Sequence, residues 1–149
     1  LPQLPPEHPA KRTDWLKLWL ATQRTPWRSL ALVPSGQMPA DFTIEIAVSL
    51  VQIGSLHLGS PIRIADGTGV PLAQIAQFTE ELDALKEADV PLLMALGPIR
   101  DNPTMVSLAQ AADAALLCVP LGLSSMKDAN RTLDEIGRER FIGSAVFHV

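Results

Sequence analysis

Tyrosine is absent from the 149 residues, cysteine occurs once and histidine three times. A single cysteine, Cys118, cannot form an internal disulfide or a cysteine-based zinc site, so the chain reads as one from a reducing compartment. The histidines, at 8, 57 and 148, are too scattered for a recognised metal spacing. No uninterrupted run of about 18 apolar residues occurs, which excludes a transmembrane helix, although the mean hydropathy is slightly positive at +0.18. The start, LPQLPPEHPAKR, has no charged segment followed by an apolar one and does not read as a signal peptide. The net charge of −4 argues against non-specific nucleic-acid binding.

What is present is an ordinary globular composition. Forty-seven per cent of the residues are hydrophobic and 19% are charged, enough to build one domain of this length. Of the thirteen prolines, four stand close together at positions 2, 5, 6 and 9. Residues 1–12 therefore read as a proline-rich extended tail, and 13–149 as a single domain. Charge is uneven: residues 1–28 hold five basic and two acidic side chains, a net +3, which leaves −7 for the remainder. The basic segment fits a solvated helix face, or a negatively charged partner.

Hydrophobic periodicity predicts alternating strands and helices. A helix from Asp14 to Gln23 carries Trp15, Leu16, Trp19 and Leu20 on one face, capped by Thr13. That stripe, with Trp15, Trp19 and Trp27, fits either core packing or a docking surface. Strands are predicted at Arg28–Pro34, Ile62–Ala65, Val90–Leu96, Ala114–Val119 and Phe141–Val149. Helices are predicted from an Asp41 cap to Gly54, over Leu72–Ala88, over Thr104–Ala112, and from a Ser124 cap to Ile136. The second helix should bury Ile44, Ala47, Val48 and Val51, and the third Leu72, Ile75, Ala76, Leu82 and Leu85. The fold class is α/β: a doubly wound, mostly parallel sheet of about five strands with helices on both faces.

Ligands of such sheets sit beyond the carboxyl ends of the strands. The first such loop, S-G-Q-M-P-A-D-F-T at Ser35–Thr43, enters a helix, where a phosphate loop would lie. A phosphate loop needs glycines, a lysine, and a Ser or Thr for magnesium. Only Thr43 is supplied.

Several segments in order resemble one family. D-W-L-K-L-W-L-A-T-Q-R, the loop Ser35–Thr43, I-A-V-S-L-V-Q-I-G at Ile46–Gly54 and R-I-A-D-G-T at Arg63–Thr68 are followed by M-A-L-G-P at Met94–Pro98, A-D-A-A-L-L-C-V at Ala112–Val119 and the closing I-G-S-A-V-F-H-V. Together, over residues 14–149, they resemble the cytoplasmic ATPase domain of bacterial tyrosine kinases of capsule and exopolysaccharide synthesis, within the MinD and ParA-like P-loop ATPases. The resemblance implies an abbreviated P-loop ATPase-like fold. It also makes the departures informative. Phe42 stands at the position of the loop lysine, Asp41 at that of the last loop glycine, and Ala95 at that of the acid ending the third strand. Loss of the lysine removes a charge-assisted phosphate contact, and Asp41 places a like charge beside a triphosphate. Phosphoryl transfer depends on such positioning and electrostatics. Ser35, Gly36, Asp41, Phe42 and Thr43 are thus a degenerate nucleotide loop. Asp66 is either a residual acid of the second strand or the residue that opens the D-G-T-G turn. The family's kinases phosphorylate a tyrosine-rich tail, and this chain has no tyrosine to modify.

The expectation that follows is a catalytically inactive, pseudo-kinase interaction or regulatory subunit with no catalytic residues, no metal and no cofactor, its ATP and magnesium binding lost or weak. The resemblance implies a homo-oligomer in the cytoplasm. Its partner would be the cytoplasmic tail of a membrane polysaccharide co-polymerase or export component, which would recruit it to the inner face of the membrane. No nucleic-acid partner is expected. The alternatives are a divergent nucleotide- or cofactor-binding enzyme, since D-G-T-G resembles a methyltransferase glycine turn, and a MinD or ParA-like positioning protein that has lost its switch.

Overall fold

A computed structural model describes residues 9–39 and 41–148. Five parallel strands form one sheet in the order β2-β3-β1-β4-β5, with β1 Ser29–Pro34, β2 Arg63–Asp66, β3 Leu92–Ala95, β4 Ala114–Pro120 and β5 Phe141–Phe147. The three central strands are continuous apolar runs, as strands covered on both faces must be. Every residue of β1 and β3 is buried, as are all of β4 except the half-buried Val119.

Alternation along β1 sends Leu30 and Leu32 to one face and Ala31 and Val33 to the other. The first face is covered by α1 Pro9–Thr22 and α2 Phe42–Leu58, which contribute Trp19, Phe42, Ile46, Leu50 and Ile53. The second is covered by α3 Ile75–Glu87, α4 Thr104–Ala111 and α5 Met126–Ile136, through Leu82, Met105, Leu108 and Ile136. The sheet is therefore doubly wound, as its alternating pattern predicts.

The differences from expectation have physical causes. The expected tail of residues 1–12 divides: 1–8 lie outside the described residues, but α1 begins at Pro9 rather than Asp14. Proline is compatible with a first helical turn, where its missing amide has no partner to lose. The inward face of α1 is Trp15, Leu18, Trp19 and Thr22, whereas Leu16 and Leu20 point outward, 36% and 42% exposed.

Gly54 does not end α2. The helix runs to Leu58 and stops at Gly59, whose left-handed backbone (φ 70°) bonds back to Ser55 O. Gly54 is instead a contact point between helices. A Cβ there would lie 2.9 Å from the ring of Trp19 and 2.8 Å from Ile62 Cδ1. Because α2 is gripped by both the sheet and α1, its buried stripe is Phe42, Ile46, Leu50 and Ile53, while Ile44, Val48 and Val51 are half-buried. Asp41 precedes the helix but its side chain makes no capping bond.

The expected helix over Leu72–Ala88 starts with a 3-10 turn, Leu72–Gln74, before α3. Leu72 and Ala76 are exposed, and Phe78 packs inward beside Ile75 and Leu85. The cap of α5 is Ser125, not Ser124. Its hydroxyl accepts from Asp128 N at 3.1 Å while the Asp128 carboxylate accepts from Ser125 N, a reciprocal capping box.

Candidate functional site

The loops leaving β1 and β4 diverge, β1 leading to α2 on one face and β4 to α5 on the other. This is the topological switch point, where open α/β sheets hold ligands. Here the two loops are tied to each other. Ser35 N donates to Cys118 O at 2.9 Å, and the hydroxyls of Ser35 and Ser124 share a hydrogen bond of 2.6 Å. Gly36 follows with φ 69°, and a Cβ on it would sit 3.0 Å from Asp128 Oδ2. Only glycine combines that backbone with that approach. The carboxylate of α5 therefore lies directly against the loop.

Beside Gly36 is a cleft of about 170 Å³, lined in part by Arg100, Asp128, Arg131, Thr132 and Glu135. Its charges are balanced within the chain. Arg100 is 3.9 Å from Asp128, and Arg131 Nε donates to Glu135 at 3.2 Å. The backbone amide of Ser125 holds the Asp128 carboxyl below the usual aspartate range, helped by the Ser125 hydroxyl and Arg100. A carboxylate so stabilised stays ionised beside the loop.

The five expected loop positions do not converge. Gly36 lines the cleft and Ser35 is buried behind it, but Asp41 is exposed at the start of α2 and Phe42 turns into the core. Phe42 is 7% exposed and meets Phe147 edge to face with ring centres 5.7 Å apart. Thr43 is buried, and its hydroxyl donates to Leu96 O at 2.8 Å, just beyond the end of β3. Ala95, which ends β3, is fully buried. Where the resemblance leads one to expect a loop lysine, a free hydroxyl and a strand-end acid, the structure has an aromatic contact, an occupied hydroxyl and a methyl group.

Asp66 lies apart from the cleft, at the end of edge strand β2. It accepts from Thr68 N at 3.0 Å and from Thr68 Oγ1 at 2.6 Å, an Asx turn that opens D-G-T-G. Gly67 N, in that turn, donates to Ala95 O at 2.8 Å, so the segment seals β2 to β3. The tryptophans face inward. Trp19 is fully buried and its indole donates to His57 Nδ1 at 3.2 Å, which leaves it no docking surface. Trp27 packs edge to face on Trp19, with centres 6.1 Å apart, and donates to Thr22 O. Trp15 is half-buried against Phe147, 5.7 Å between ring centres. Cys118 is fully buried, which pushes its thiol far above the usual range and makes it inert.

Among the described residues, no group of three His, Cys, Asp or Glu side chains is placed to hold a metal ion. No helix among them is long and apolar enough to cross a membrane. Asp128 and Arg131 were not singled out by the sequence reading. The signal for Asp128 was there in S-x-x-D at Ser125–Asp128, the spacing of a capping box; nothing local marks Arg131.

No protein-family model matches the sequence, and no curated protein matches it. Among solved structures, the chain is similar to the BceF tyrosine kinase domain, with 12% identity and a TM-score of 0.58 over 91% of this chain and 74% of that one. At that identity the likeness concerns the fold: five parallel strands flanked by helices, arranged as in a P-loop kinase-like domain.

Proposed function

We propose that this chain is a catalytically inactive relative of the bacterial tyrosine kinase ATPases, serving as an interaction or regulatory subunit. The observation that carries the reading is Phe42. At the residue that begins α2, where a phosphate loop would present its lysine, an aromatic ring is buried on Phe147. Three further features support it: the Thr43 hydroxyl spent on Leu96 O, the methyl group of Ala95, and the Asp128 carboxylate against Gly36. The balanced charge of the cleft leaves no surplus cation to attract a triphosphate.

The role in exopolysaccharide or capsule synthesis and export rests on the family resemblance, as does a cytoplasmic location at the inner face of the membrane. The proposed partner is the cytoplasmic tail of a membrane polysaccharide co-polymerase or export component. The resemblance supports the pathway by analogy of fold, and the chemistry of the loop supports the loss of activity.

Titration calorimetry with ATP, GTP and S-adenosylmethionine in the presence of magnesium tests the loss of ligand binding. No binding heat is expected at ligand concentrations up to about 1 mM, the weak limit of about −4 kcal/mol. Micromolar binding of any of the three would replace this reading with that of a divergent nucleotide- or cofactor-binding enzyme.

A further inference from the structure

The sheet has two edges, and their chemistry differs. β2 is four residues long, R-I-A-D, with a charge at each end. Short, charged edge strands resist pairing with other chains. β5, at the opposite edge, is seven residues, F-I-G-S-A-V-F, with neither a charge nor a proline. Its register against β4 shifts once, between Ala115 and Leu116, and Gly143–Phe147 then pair one to one with Leu116–Pro120. The outer side of that regular stretch is a row of backbone donors and acceptors with no strand beside it among the described residues.

Apolar side chains gather around this edge. Val146 is 62% exposed, Leu121 52%, Leu123 50% and Met126 78%. Between α5 and the β4–β5 pair lies an apolar cavity of about 580 Å³, reached by Leu117, Val119, Leu133 and Phe141. Grouped apolar exposure of this kind marks a contact surface.

The sequence of β5 says what fits it. A two-fold axis normal to the sheet at Ala145 would set Gly143 opposite Phe147, and Ser144 opposite Val146, of an antiparallel second copy. Alternation places Gly143, Ala145 and Phe147 on one face and Ser144 and Val146 on the other. Each cross-strand pair therefore shares a face. The glycine side of the first pair is open, since a Cβ on Gly143 would meet nothing within 4 Å, so nothing there obstructs a second strand. No like charges oppose one another. Such an axis preserves the faces of the sheet, so the cavity beside β5 would open on the same side of the sheet in both copies. A two-fold interface requires this kind of self-complementarity.

We propose that the chain dimerises by antiparallel pairing of β5 with β5 of a second copy, continuing the five-stranded sheet across a two-fold axis. The inference is independent of whether nucleotide binds.

Sedimentation equilibrium of the full chain, from micromolar to several hundred micromolar, tests it. The expected result is a monomer–dimer equilibrium that Ser144→Lys and Val146→Lys each weaken at least about 100-fold, because each sets an unpartnered lysine on the paired edge and brings the two lysines diagonally together across the axis. Leu72→Lys, an equally exposed apolar position near the other edge, should leave the constant unchanged. Should a charged variant fail to fold, Ala145→Cys gives a second reading: mild oxidation should link it to itself, while buried Cys118 in the parent chain does not crosslink. A monomer at every concentration overturns the proposal, as does a dimer insensitive to both lysines. So does one lost in Leu16→Lys on α1 but kept in Val146→Lys, or a dimer in which Ala145→Cys fails to crosslink.

Discussion

Phe42→Lys will destabilise the domain by about 3 kcal/mol or more and will not make it an ATPase. A lysine at this position would supply the cation that the family resemblance leads one to expect of a phosphate loop. Here the position belongs to the core. The ring is 7% exposed and meets Phe147, which in turn packs on Trp15. Removing a buried phenyl group costs about 3–5 kcal/mol. A lysine stem can recover part of that by reaching toward solvent, but its ammonium then sits at the N-terminus of α2, where the helix dipole disfavours a cation. Catalysis would still lack its other parts, because Thr43 remains bonded to Leu96 O and position 95 remains alanine. Chemical denaturation should show the loss of stability, and Phe42→Leu should lose less and keep the fold. A Phe42→Lys protein as stable as the parent and hydrolysing ATP would show that the loop had been poised for phosphate.

Trp19→Ala will be comparably damaging, at about 3–5 kcal/mol, the usual cost of a large side chain removed from a core. Typical total stabilities are about 5–15 kcal/mol, so the midpoint of thermal unfolding should fall by about 10–15 °C. The reason lies in how α1 is attached. Trp19 is fully buried, fits over Gly54, stacks edge to face with Trp27 and donates to His57. It is the joint between α1 and α2. Trp15→Ala, at a half-buried position, should cost less. A Trp19→Ala protein with unchanged melting would return this helix to the role of a docking surface.

These two residues also show how far the sequence could be read. The strands were legible because fully covered parallel strands are near-continuous apolar runs, and S-L-A-L-V-P after its first residue, L-L-M-A and A-A-L-L-C-V-P are such runs. The alternation of strand and helix then implied the doubly wound sheet. What was not legible depended on partners far away in the chain. Gly54 looked like a helix stop because glycine often is one, but its role is to admit a tryptophan 35 positions earlier. Trp15, Leu16, Trp19 and Leu20 fit helical spacing, yet the inward face is turned so that Leu18 replaces Leu16, a choice made by the contact with α2.

The site divides in the same way. The expectation that Phe42, Asp41 and Ala95 do not serve a triphosphate follows from their side-chain chemistry at positions the family resemblance assigns. Where those residues go did not. The Thr43–Leu96 bond spans 53 positions and the Ser35–Ser124 bond spans 89. The Asp128 carboxylate against Gly36 is visible only once α5 is docked on the β1 loop. The capping box that positions Asp128 was local, and its S-x-x-D spacing could have been read.

The central claim is that a kinase-like fold has been retained while its phosphate chemistry has been replaced by packing. Magnesium-dependent ATP hydrolysis by the purified chain, measured beside Thr43→Ala, tests it most directly. The account predicts that neither protein turns over ATP above the rate of a protein-free control. Turnover by the parent chain that Thr43→Ala abolishes would contradict it.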